Sequence, residues 1–404
     1  MTALTPQQKE TYDKQALDNF REYLRIPSVH PDINYDDCVK FLESQAKSLG
    51  LPVKVIEVKP NKPIVIITWV GTEPNLPSIL LNSHTDVVPV FEEEWKHKPF
   101  GAEIVDGKIY ARGTQDMKSV GIQYIEAIRR LKEQGVKFRR TVHLSFVPDE
   151  EIGGILGMKE FITTQAFKNL NVGLSLDEGM TSSSEEYMVA YAERCIWQLH
   201  IHCPGQPGHG SILLKNTAGE KVNYIMNKFY EFRKTQEKKL EENPHLTLGD
   251  VTTVNVTQLK GGVQSNVVPP ELTLVVDCRI PTTVDIKSWE ETINRWCKEA
   301  GEGVYIEYEQ KQPQVPPTQL EGNKFWTAFK AATDKLGLKL KLQEFPGGTD
   351  SRYLRGLGIP ALGFSPINKT PVLLHDNDEF IRVDTFLKGI EVYTTLIPAV
   401  ANVQ

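Results

Sequence analysis

Residues 78–89, SILLNSHTDVVP, decide the fold that the sequence predicts. The apolar run at 79–81 is typical of a strand, and it is followed closely by His84 and Asp86. In open α/β sheets the carboxyl ends of the strands form the edge where ligands bind. Residues two apart on an extended segment face the same way, so Asp86 is placed to accept the spare ring N–H of His84 and fix its tautomer. The pattern makes His84 a candidate zinc ligand, although such a pair alone fits a plain surface loop equally well.

The size and composition of the chain are those of a globular protein with more than one domain. Its 404 residues are enough for two or three domains and a large core. The hydrophobic content of 40% and the charged content of 24% are ordinary. A net charge of −6, without a basic cluster among aromatic residues, gives no support for a nucleic-acid partner. No apolar run approaches the roughly 18 residues that span a bilayer, so we predict no membrane partner.

The amino-terminal segment and the cysteines indicate a compartment. Residues 1–15 are polar and lack the apolar core of a signal peptide, so we expect a cytoplasmic protein. The cysteines are scattered, odd in number and form no CxxC motif, which predicts reduced, buried thiols rather than disulfides or a metal cluster. The five are Cys38, Cys195, Cys203, Cys278 and Cys297.

The first part of the chain alternates strands with helices, which predicts a doubly wound α/β sheet. Two helices are predicted within residues 1–50, and apolar residues on one stripe predict another at 117–133. The predicted strands are 53–58, 64–70, 79–81, 141–147 and 171–176. The last three strands are each followed by acidic residues, and Asp116 stands just before the helix at 117–133.

From about residue 189 the pattern changes to the β-α-β-β-α-β order of a split βαβ sandwich. The predicted elements are strand 189–202, helix 217–240, strands 251–259 and 271–279, helix 286–299 and strand 303–309. A proline-rich segment at 312–317 then predicts a linker back to the first domain. That domain is completed by helix 323–336, strand 338–344, the segment 359–365 and a helix near 383–398. We predict a first domain made of residues 1–188 and 312–404, with an inserted domain at 189–311.

The acidic residues and histidines that follow the strands fit a zinc hydrolase. Such an enzyme needs ligands that converge on the metal, an open position for water, and a base that takes a proton from this water. The candidate ligands are His84, Asp116, Glu151, Glu178 and His375. Five ligands are more than one site needs, which favours two metals about 3.5 to 4 Å apart with a bridging carboxylate. Glu150, next to Glu151, could point the other way and serve as general base.

Longer motifs carry a resemblance to a known family. In chain order they are LLNSHTDVVPV at 80–90, YARGTQDMKSVGIQY at 110–124, FVPDEEIGG at 146–154, LDEGM at 176–180, GQPGHGS at 205–211, GGTDSRY at 347–353 and PVLLHDNDE at 371–379. They are similar, nearly end to end, to the motifs of the zinc-dependent amidohydrolase and carboxypeptidase family that includes acetylornithine deacetylase and succinyl-diaminopimelate desuccinylase. The resemblance implies an α/β protein whose zinc-peptidase-like, doubly wound catalytic domain carries an inserted α+β ferredoxin-like dimerisation domain.

The resemblance also implies an activity and a set of metal ligands. The activity is zinc-dependent hydrolysis of the amide bond of N-acyl-L-amino acids, in a homodimer with two Zn²⁺ per subunit. One zinc would be bound by His84, Asp116 and Glu178, and the other by Asp116, Glu151 and His375. Because Asp177 adjoins Glu178, the choice of Glu178 rests on the family and not on spacing.

Further roles follow from the same motifs. Glu150 would be the general base and Asp86 the partner of His84. His209 would reach the active site of the other subunit and stabilise the oxyanion. The substrate carboxylate and amide would be held by Arg352, Asn266 and Thr349. The segment 212–215 looks unlike the better known members and could alter the acyl-group preference.

Several of these residues have plainer interpretations. Each acidic candidate also fits a helix cap or a solvated loop. Two arginines have alternatives: Arg352 could pair with Glu379 or Asp350, and Arg279 could contact substrate or pair with Asp277 or Asp285. The pair His200 and His202 mimics a metal site, but without an acidic motif beside it we expect a solvated strand face. The histidines treated as structural are His30, His97, His143 and His245.

Two other functions stay open at this point. One is a dipeptidase, or another N-acyl deacylase of the acetylornithine type, within the same family. The other is a binding or scaffolding protein that has lost its metal, which the complete set of ligands does not favour.

Overall fold

The computed structural model describes residues 4–404 of the chain. Contacts divide it into two compact units. The first unit comprises the chain up to Tyr191 together with Thr318–Leu342 and Thr349–Gln404. The second comprises Ala192–Pro317 and Gln343–Gly348.

The secondary structure confirms most predicted elements, with ends displaced by a few residues. The helices are α1 (Pro6–Leu24), α2 (Asp36–Leu49), α3 (Lys118–Glu133), α4 (Met158–Phe161), α5 (Gln165–Lys168), α6 (Ala218–Glu242), α7 (Ile286–Ala300), α8 (Lys324–Lys335), α9 (Ser351–Gly356) and α10 (Val383–Ala401). The strands are β1 (Val53–Lys59), β2 (Lys62–Trp69), β3 (Ser78–His84), β4 (Glu103–Val105), β5 (Lys108–Tyr110), β6 (Val142–Val147), β7 (Val172–Asp177), β8 (Glu186–Glu193), β9 (Cys195–Pro204), β10 (Gly208–His209), β11 (Thr253–Gly261), β12 (Val267–Val268), β13 (Glu271–Ile280), β14 (Tyr305–Lys311), β15 (Lys339–Phe345), β16 (Ala361–Gly363) and β17 (Phe380–Arg382).

The main sheet has eight strands in the order β1-β2-β6-β3-β7-β16-β8-β15. Its centre is parallel: β3 pairs with β6 and β7, and β16 pairs with β7. The two faces of β3 pack into different cores, since Ile79 and Leu81 lie with α1, α3 and α10, whereas Leu80 lies with α4. Helices thus cover both faces, which confirms the predicted doubly wound α/β fold.

Helix α3 is more deeply buried than the sequence predicts. Its apolar residues indicate one stripe, yet every position from 118 to 131 is buried. The buried charges have partners: Arg129 donates to Glu126 at 3.0 Å, and Lys118 Nζ donates to the main-chain oxygens of Tyr23 and Ile26 at 3.1 and 2.8 Å. Hydrogen bonds of this kind are what allow charged side chains to be buried.

The second unit contains a four-stranded antiparallel sheet in the order β11-β13-β9-β14. Apolar residues of α6 and α7, such as Ile225 and Trp289, pack with the buried residues of β9 and β13. The chain order is strand, helix, two strands, helix and strand, which confirms the predicted split βαβ arrangement.

One predicted strand is wrong. The segment 189–202 is two strands, because β8 ends at Glu193 and β9 begins at Cys195. Between them, the buried guanidinium of Arg194 donates to the main-chain oxygens of Pro346 and Val251. Apolar runs at 187–192 and 195–197 stand on either side of the charged pair Glu193 and Arg194, so the hydrophobic pattern alone does not reveal the break. The segment 359–365 is also mostly loop, with only Ala361–Gly363 in a strand.

Two predictions from composition can be compared with the described residues. All five cysteines are buried and free, as predicted. Within residues 4–404, no helix has the length and apolar character needed to cross a membrane.

Candidate metal centre

Three neighbouring parallel strands bring candidate ligands to one edge of the main sheet. Strand β3 lies between β6 and β7 and ends at His84. Strand β6 leads into a short turn of 3₁₀-helix that begins with Glu150 and Glu151, and β7 is followed directly by Glu178. Because the carboxyl ends of parallel strands meet at one edge, these side chains converge as the sequence predicts.

The five predicted ligands form two groups that share Asp116. His84, Asp116 and Glu178 offer ligand atoms within 4.8 Å of one another, and so do Asp116, Glu151 and His375. In the first group, Nε2 of His84 lies 3.0 Å from Asp116 Oδ1 and 3.6 Å from Glu178 Oε2. In the second, Nε2 of His375 lies 3.3 Å from Asp116 Oδ2 and 3.0 Å from Glu151 Oε2. Asp116 therefore turns one oxygen toward each histidine.

The electrostatics of these groups favour a cation. Burial, together with the charge of Asp116, raises the pKa of Glu178 well above its usual value and that of Glu151 to about 7. Burial and the charge of Glu178 likewise raise the pKa of Glu150. Hydrogen bonds to Asp116 and Glu151 raise the pKa of His375 to about 10. Oxygen Oε1 of Glu151 is buried with no hydrogen-bond partner among the described residues.

These observations show that the residues present fit divalent metal ions. Buried carboxylates that repel one another are stabilised when they coordinate a cation. Histidine nitrogens mixed with carboxylate oxygens, without cysteine, are a donor set that zinc accepts.

Asp86 holds the turn that carries Glu150 and Glu151. Its carboxylate is fully buried and accepts hydrogen bonds from the backbone N–H of Glu150 at 3.1 Å and of Glu151 at 3.0 Å. The predicted hydrogen bond from the ring of His84 to this carboxylate is not formed, although Nδ1 of His84 lies within ion-pair distance of Asp86 Oδ1, at 3.7 Å. The ring nitrogen is instead 2.8 Å from the main-chain oxygen of Asp86.

His30, predicted from the sequence to be structural, also contacts Asp86. Its Nε2 lies 2.8 Å from Asp86 Oδ2. The segment of His30 runs beside that of Asp86, because Val29 and Val87 form a parallel bridge and the N–H of His30 donates to the oxygen of Val87. No local pattern in the sequence predicts this pairing of distant segments.

The structure separates the roles of Asp177 and Glu178. The carboxylate of Asp177 accepts hydrogen bonds from Asn82 Nδ2 at 3.1 Å and from Ser351 Oγ at 2.8 Å. It also accepts the N–H of Glu178 at 2.9 Å. The carboxylate oxygens of Asp177 are thus occupied by hydrogen bonds from other protein groups, which indicates a structural role at the end of β7. Glu178 is the carboxylate that lies beside His84.

The arginine alternatives are partly decided. Glu379 pairs with Arg112 at 2.9 Å, and the pairing of Arg352 with Glu379 or Asp350 stays a prediction. Arg352 is buried and donates to the main-chain oxygen of Gly153 at 2.8 Å. Arg279 forms two hydrogen bonds to Asp277, at 2.7 and 3.1 Å, which is one of the predicted alternatives.

Two further predicted residues lie together in the second unit. The strand of His209 pairs with β12, next to Asn266. The N–H of Gly210 donates to the main-chain oxygen of Asn266 at 2.8 Å, and Nδ1 of His209 contacts Ser211 Oγ at 2.8 Å. His209 is exposed, whereas Thr349 and Arg352 are buried residues of the first unit.

The pair His200 and His202 has acidic neighbours that sequence spacing does not show. Nε2 of His200 lies 2.8 Å from Glu309, and Nδ1 of His202 lies 3.1 Å from Glu271. These carboxylates come from the neighbouring strands β13 and β14, and the two histidines are themselves partly exposed, as expected for a solvated strand face. The two histidines are not members of either ligand group among the described residues.

The chain is similar to known proteins in both sequence and fold. The model of peptidase family M20/M25/M40 matches residues 80–399. The chain is 49% identical over 387 residues to aminoacylase-1 of Mus musculus, covering 95% of each chain. Its fold is similar to that of an M20-family metallo-carboxypeptidase from Sulfolobus solfataricus, with a TM-score of 0.74, 18% identity, and 96% and 99% of the two chains covered. A dinuclear metal-binding peptidase of the M20 family from Bacillus subtilis gives a TM-score of 0.66 at 18% identity, covering 97% and 98%.

Proposed function

Because this chain belongs to peptidase family M20/M25/M40, we propose that its metal centre hydrolyses the amide bond of N-acyl-L-amino acids such as N-acetyl-L-methionine. The products are a carboxylate and the free L-amino acid. The observation that carries the proposal is the pair of ligand groups joined by Asp116. The identity of 49% to an aminoacylase-1, which extends over 95% of each chain, supports the substrate class and agrees with the resemblance found in the motifs.

Two Zn²⁺ per subunit are the proposed cofactors. His84, Asp116 and Glu178 would hold one ion, and Asp116, Glu151 and His375 the other. Such ions, when bound, polarise a carbonyl oxygen and lower the pKa of water toward neutrality. The dinuclear metal-binding peptidase of the same fold supports two ions in this arrangement.

Glu150 is the proposed general base. It is buried at the start of the 3₁₀ turn, and its backbone is held by Asp86. A carboxylate in this place can take the proton of the attacking water and return it to the leaving amine. Burial keeps bulk water from competing for that proton, and the hydrogen bond to Asp86 fixes the position of the backbone from which the side chain extends.

The substrate-binding roles are proposals of the same kind. Arg352 carries a forked, permanent charge that suits the α-carboxylate of an amino acid. We propose Thr349 and Asn266 as its partners in holding the carboxylate and the amide. We propose that His209 stabilises the oxyanion in the active site of a second subunit, within a homodimer formed through the inserted domain at 189–311.

Substrate comparison with the purified, zinc-loaded protein tests the proposal. Release of free amino acid should be fastest from N-acetyl-L-methionine and slower from N-acetyl-ornithine and from carnosine-type dipeptides. Glu150→Gln should remove the activity, whereas Glu92→Gln, a change on the exposed turn Glu92–Glu94, should not. Preferential cleavage of a dipeptide would favour the alternative function. No turnover of any of these amides by the zinc-loaded protein would refute amide hydrolysis as proposed.

A further inference from the structure

Glu379 is a buried carboxylate outside both ligand groups, and it accepts hydrogen bonds from the loop that delivers Asp116. Its exposed fraction is 0%. Oxygen Oε2 accepts from Arg112 Nη1 at 2.9 Å and from the N–H of Gly113 at 3.1 Å. Oxygen Oε1 accepts from Thr114 Oγ1 at 3.3 Å and from the N–H groups of Gln115 and Asp116 at 2.6 and 3.4 Å. The carboxylate of Glu379 therefore accepts hydrogen bonds from the backbone N–H groups of Gly113, Gln115 and Asp116.

The same loop is joined to the segment of His375 through the side chain of Gln115. Its Nε2 donates to the main-chain oxygens of Pro371 and Phe380, at 3.1 and 2.8 Å. Its Oε1 accepts the N–H of Leu373 at 3.0 Å. The residues before and after His375 are thus tied to the residue that precedes Asp116.

Gln115 also reaches the segment that follows Glu178. Thr181 Oγ1 donates to Gln115 Oε1 at 3.4 Å, and Thr181 is buried. The side-chain carboxamide of Gln115 therefore contacts the segments of two proposed ligands, Glu178 and His375. The backbone N–H of the same residue donates to Glu379.

We propose that Glu379 is a positioning residue of the metal centre. It acts through Gln115 and the loop 112–116 to fix the position of Asp116 relative to His375. It touches neither the metal nor the substrate. This inference rests on the proposed function, because it assumes that Asp116 and His375 bind metal. It goes beyond that function by assigning the ligand geometry to a residue outside both ligand groups.

The chemistry of the donors explains why a carboxylate is needed. All the groups that face Glu379 are N–H or O–H donors, and a carboxylate offers only acceptors to them. An amide at this position would turn an NH₂ group toward one set of donors. Arg112, which is buried and whose only ion pair among the described residues is with Glu379, would also lose its counter-charge. Partners of this kind, which orient metal ligands, typically contribute 10- to 100-fold to metal affinity.

The test compares Glu379→Gln with a matched control, Glu126→Gln. Glu126, on α3, is also a fully buried glutamate; it accepts from Arg129 of the same helix at 3.0 Å and from Asn19 of α1 at 2.7 Å. Zn²⁺ affinity is measured by competition with a chromophoric chelator at a temperature where thermal melting shows each protein folded. We expect Glu379→Gln to bind Zn²⁺ at least about 10-fold more weakly than the wild type. Glu126→Gln should lower the melting temperature and leave the Zn²⁺ affinity within about 3-fold.

A second variant keeps the proposal testable if Glu379→Gln does not fold. Gln115→Met preserves the backbone N–H that Glu379 accepts but removes the carboxamide, so it should also weaken Zn²⁺ binding. Unchanged Zn²⁺ affinity in a folded Glu379→Gln or Gln115→Met protein would overturn the inference. An equal loss in Glu126→Gln would overturn it too, because the effect would then follow general stability. A wild-type protein that fails to bind Zn²⁺ would instead refute the proposed metal centre itself.

Discussion

Asp86→Asn should impair catalysis by releasing the turn that carries Glu150 and Glu151. The two backbone N–H groups and Nε2 of His30 converge on the Asp86 carboxylate, within 2.8 to 3.1 Å. Asparagine keeps one acceptor oxygen and presents an NH₂ group in place of the other. Whichever way this amide is turned, at least one buried backbone N–H loses its acceptor.

The size of the effect follows from that lost hydrogen bond. A buried donor left unsatisfied costs about 1–3 kcal/mol. Since 1.36 kcal/mol corresponds to tenfold in rate, a cost of this size in the placement of Glu150 lowers kcat by about 5- to 150-fold. The loss of the negative charge removes further stabilisation from the N–H groups, so the melting temperature should fall as well.

The assay is release of methionine from N-acetyl-L-methionine, with zinc added until the activity no longer rises. Metal content is measured on the same samples, so that a loss of zinc is separated from a loss of turnover. Asp13→Asn is the control, because Asp13 pairs with Arg130 at 2.7 Å and with Lys9 at 2.8 Å on α1. It should lower stability without changing kcat. If Asp86→Asn is folded, fully loaded with zinc and within about 3-fold of wild-type kcat, the positioning role of Asp86 is refuted.

Further predictions concern the ligands, pH and the second subunit. Glu178→Gln should weaken Zn²⁺ binding at least about 10-fold in chelator competition; Asp177→Asn should mainly lower the melting temperature, and the reverse pattern would exchange their roles. Burial lowers the pKa of His143 to about 4, below the 6.5 of an exposed histidine. Between these two pH values the unfolded chain therefore binds more protons at this residue than the folded protein does. His143 should therefore take up to about 3 kcal/mol from the free energy of unfolding between pH 6.5 and pH 4, and denaturant titrations of His143→Gln should show a smaller loss over that range. Mixing His209→Asn chains with Glu150→Ala chains should restore activity in heterodimers, and no recovery would contradict action across subunits.

The sequence determines much of the fold because its strands and helices have clear periodicities. The buried runs of β3, β6 and β7, each followed by polar residues, identify both the sheet and its functional edge. Spacing alone leaves Asp116 and His375 uncertain, since both lie in loops, and His375 has a left-handed backbone conformation with φ of 63°. The acidic residues and histidines of the sequence make both of them candidate ligands, but the bridging role of Asp116 and the assignment of His375 to one metal are implied only by the motifs that resemble the family.

The supporting contacts could not be predicted, because they join residues far apart in the chain. Glu379 lies 263 residues from Asp116, and His30 lies 56 residues from Asp86. A buried carboxylate surrounded by N–H donors has no local sequence pattern: Glu379 ends the motif at 371–379, but nothing in that motif indicates its hydrogen-bond partners, and His30 lies outside the motifs. The same limit applies to the break between β8 and β9, which depends on main-chain oxygens that Arg194 contacts in other segments.

We propose that two metal ions share Asp116, and anomalous diffraction at the zinc edge, from crystals grown with zinc, can locate them. We expect two peaks about 3.5 to 4 Å apart, one beside His84 and Glu178 and the other beside Glu151 and His375, with Asp116 between them. A single peak, or no peak beside these side chains, would contradict it.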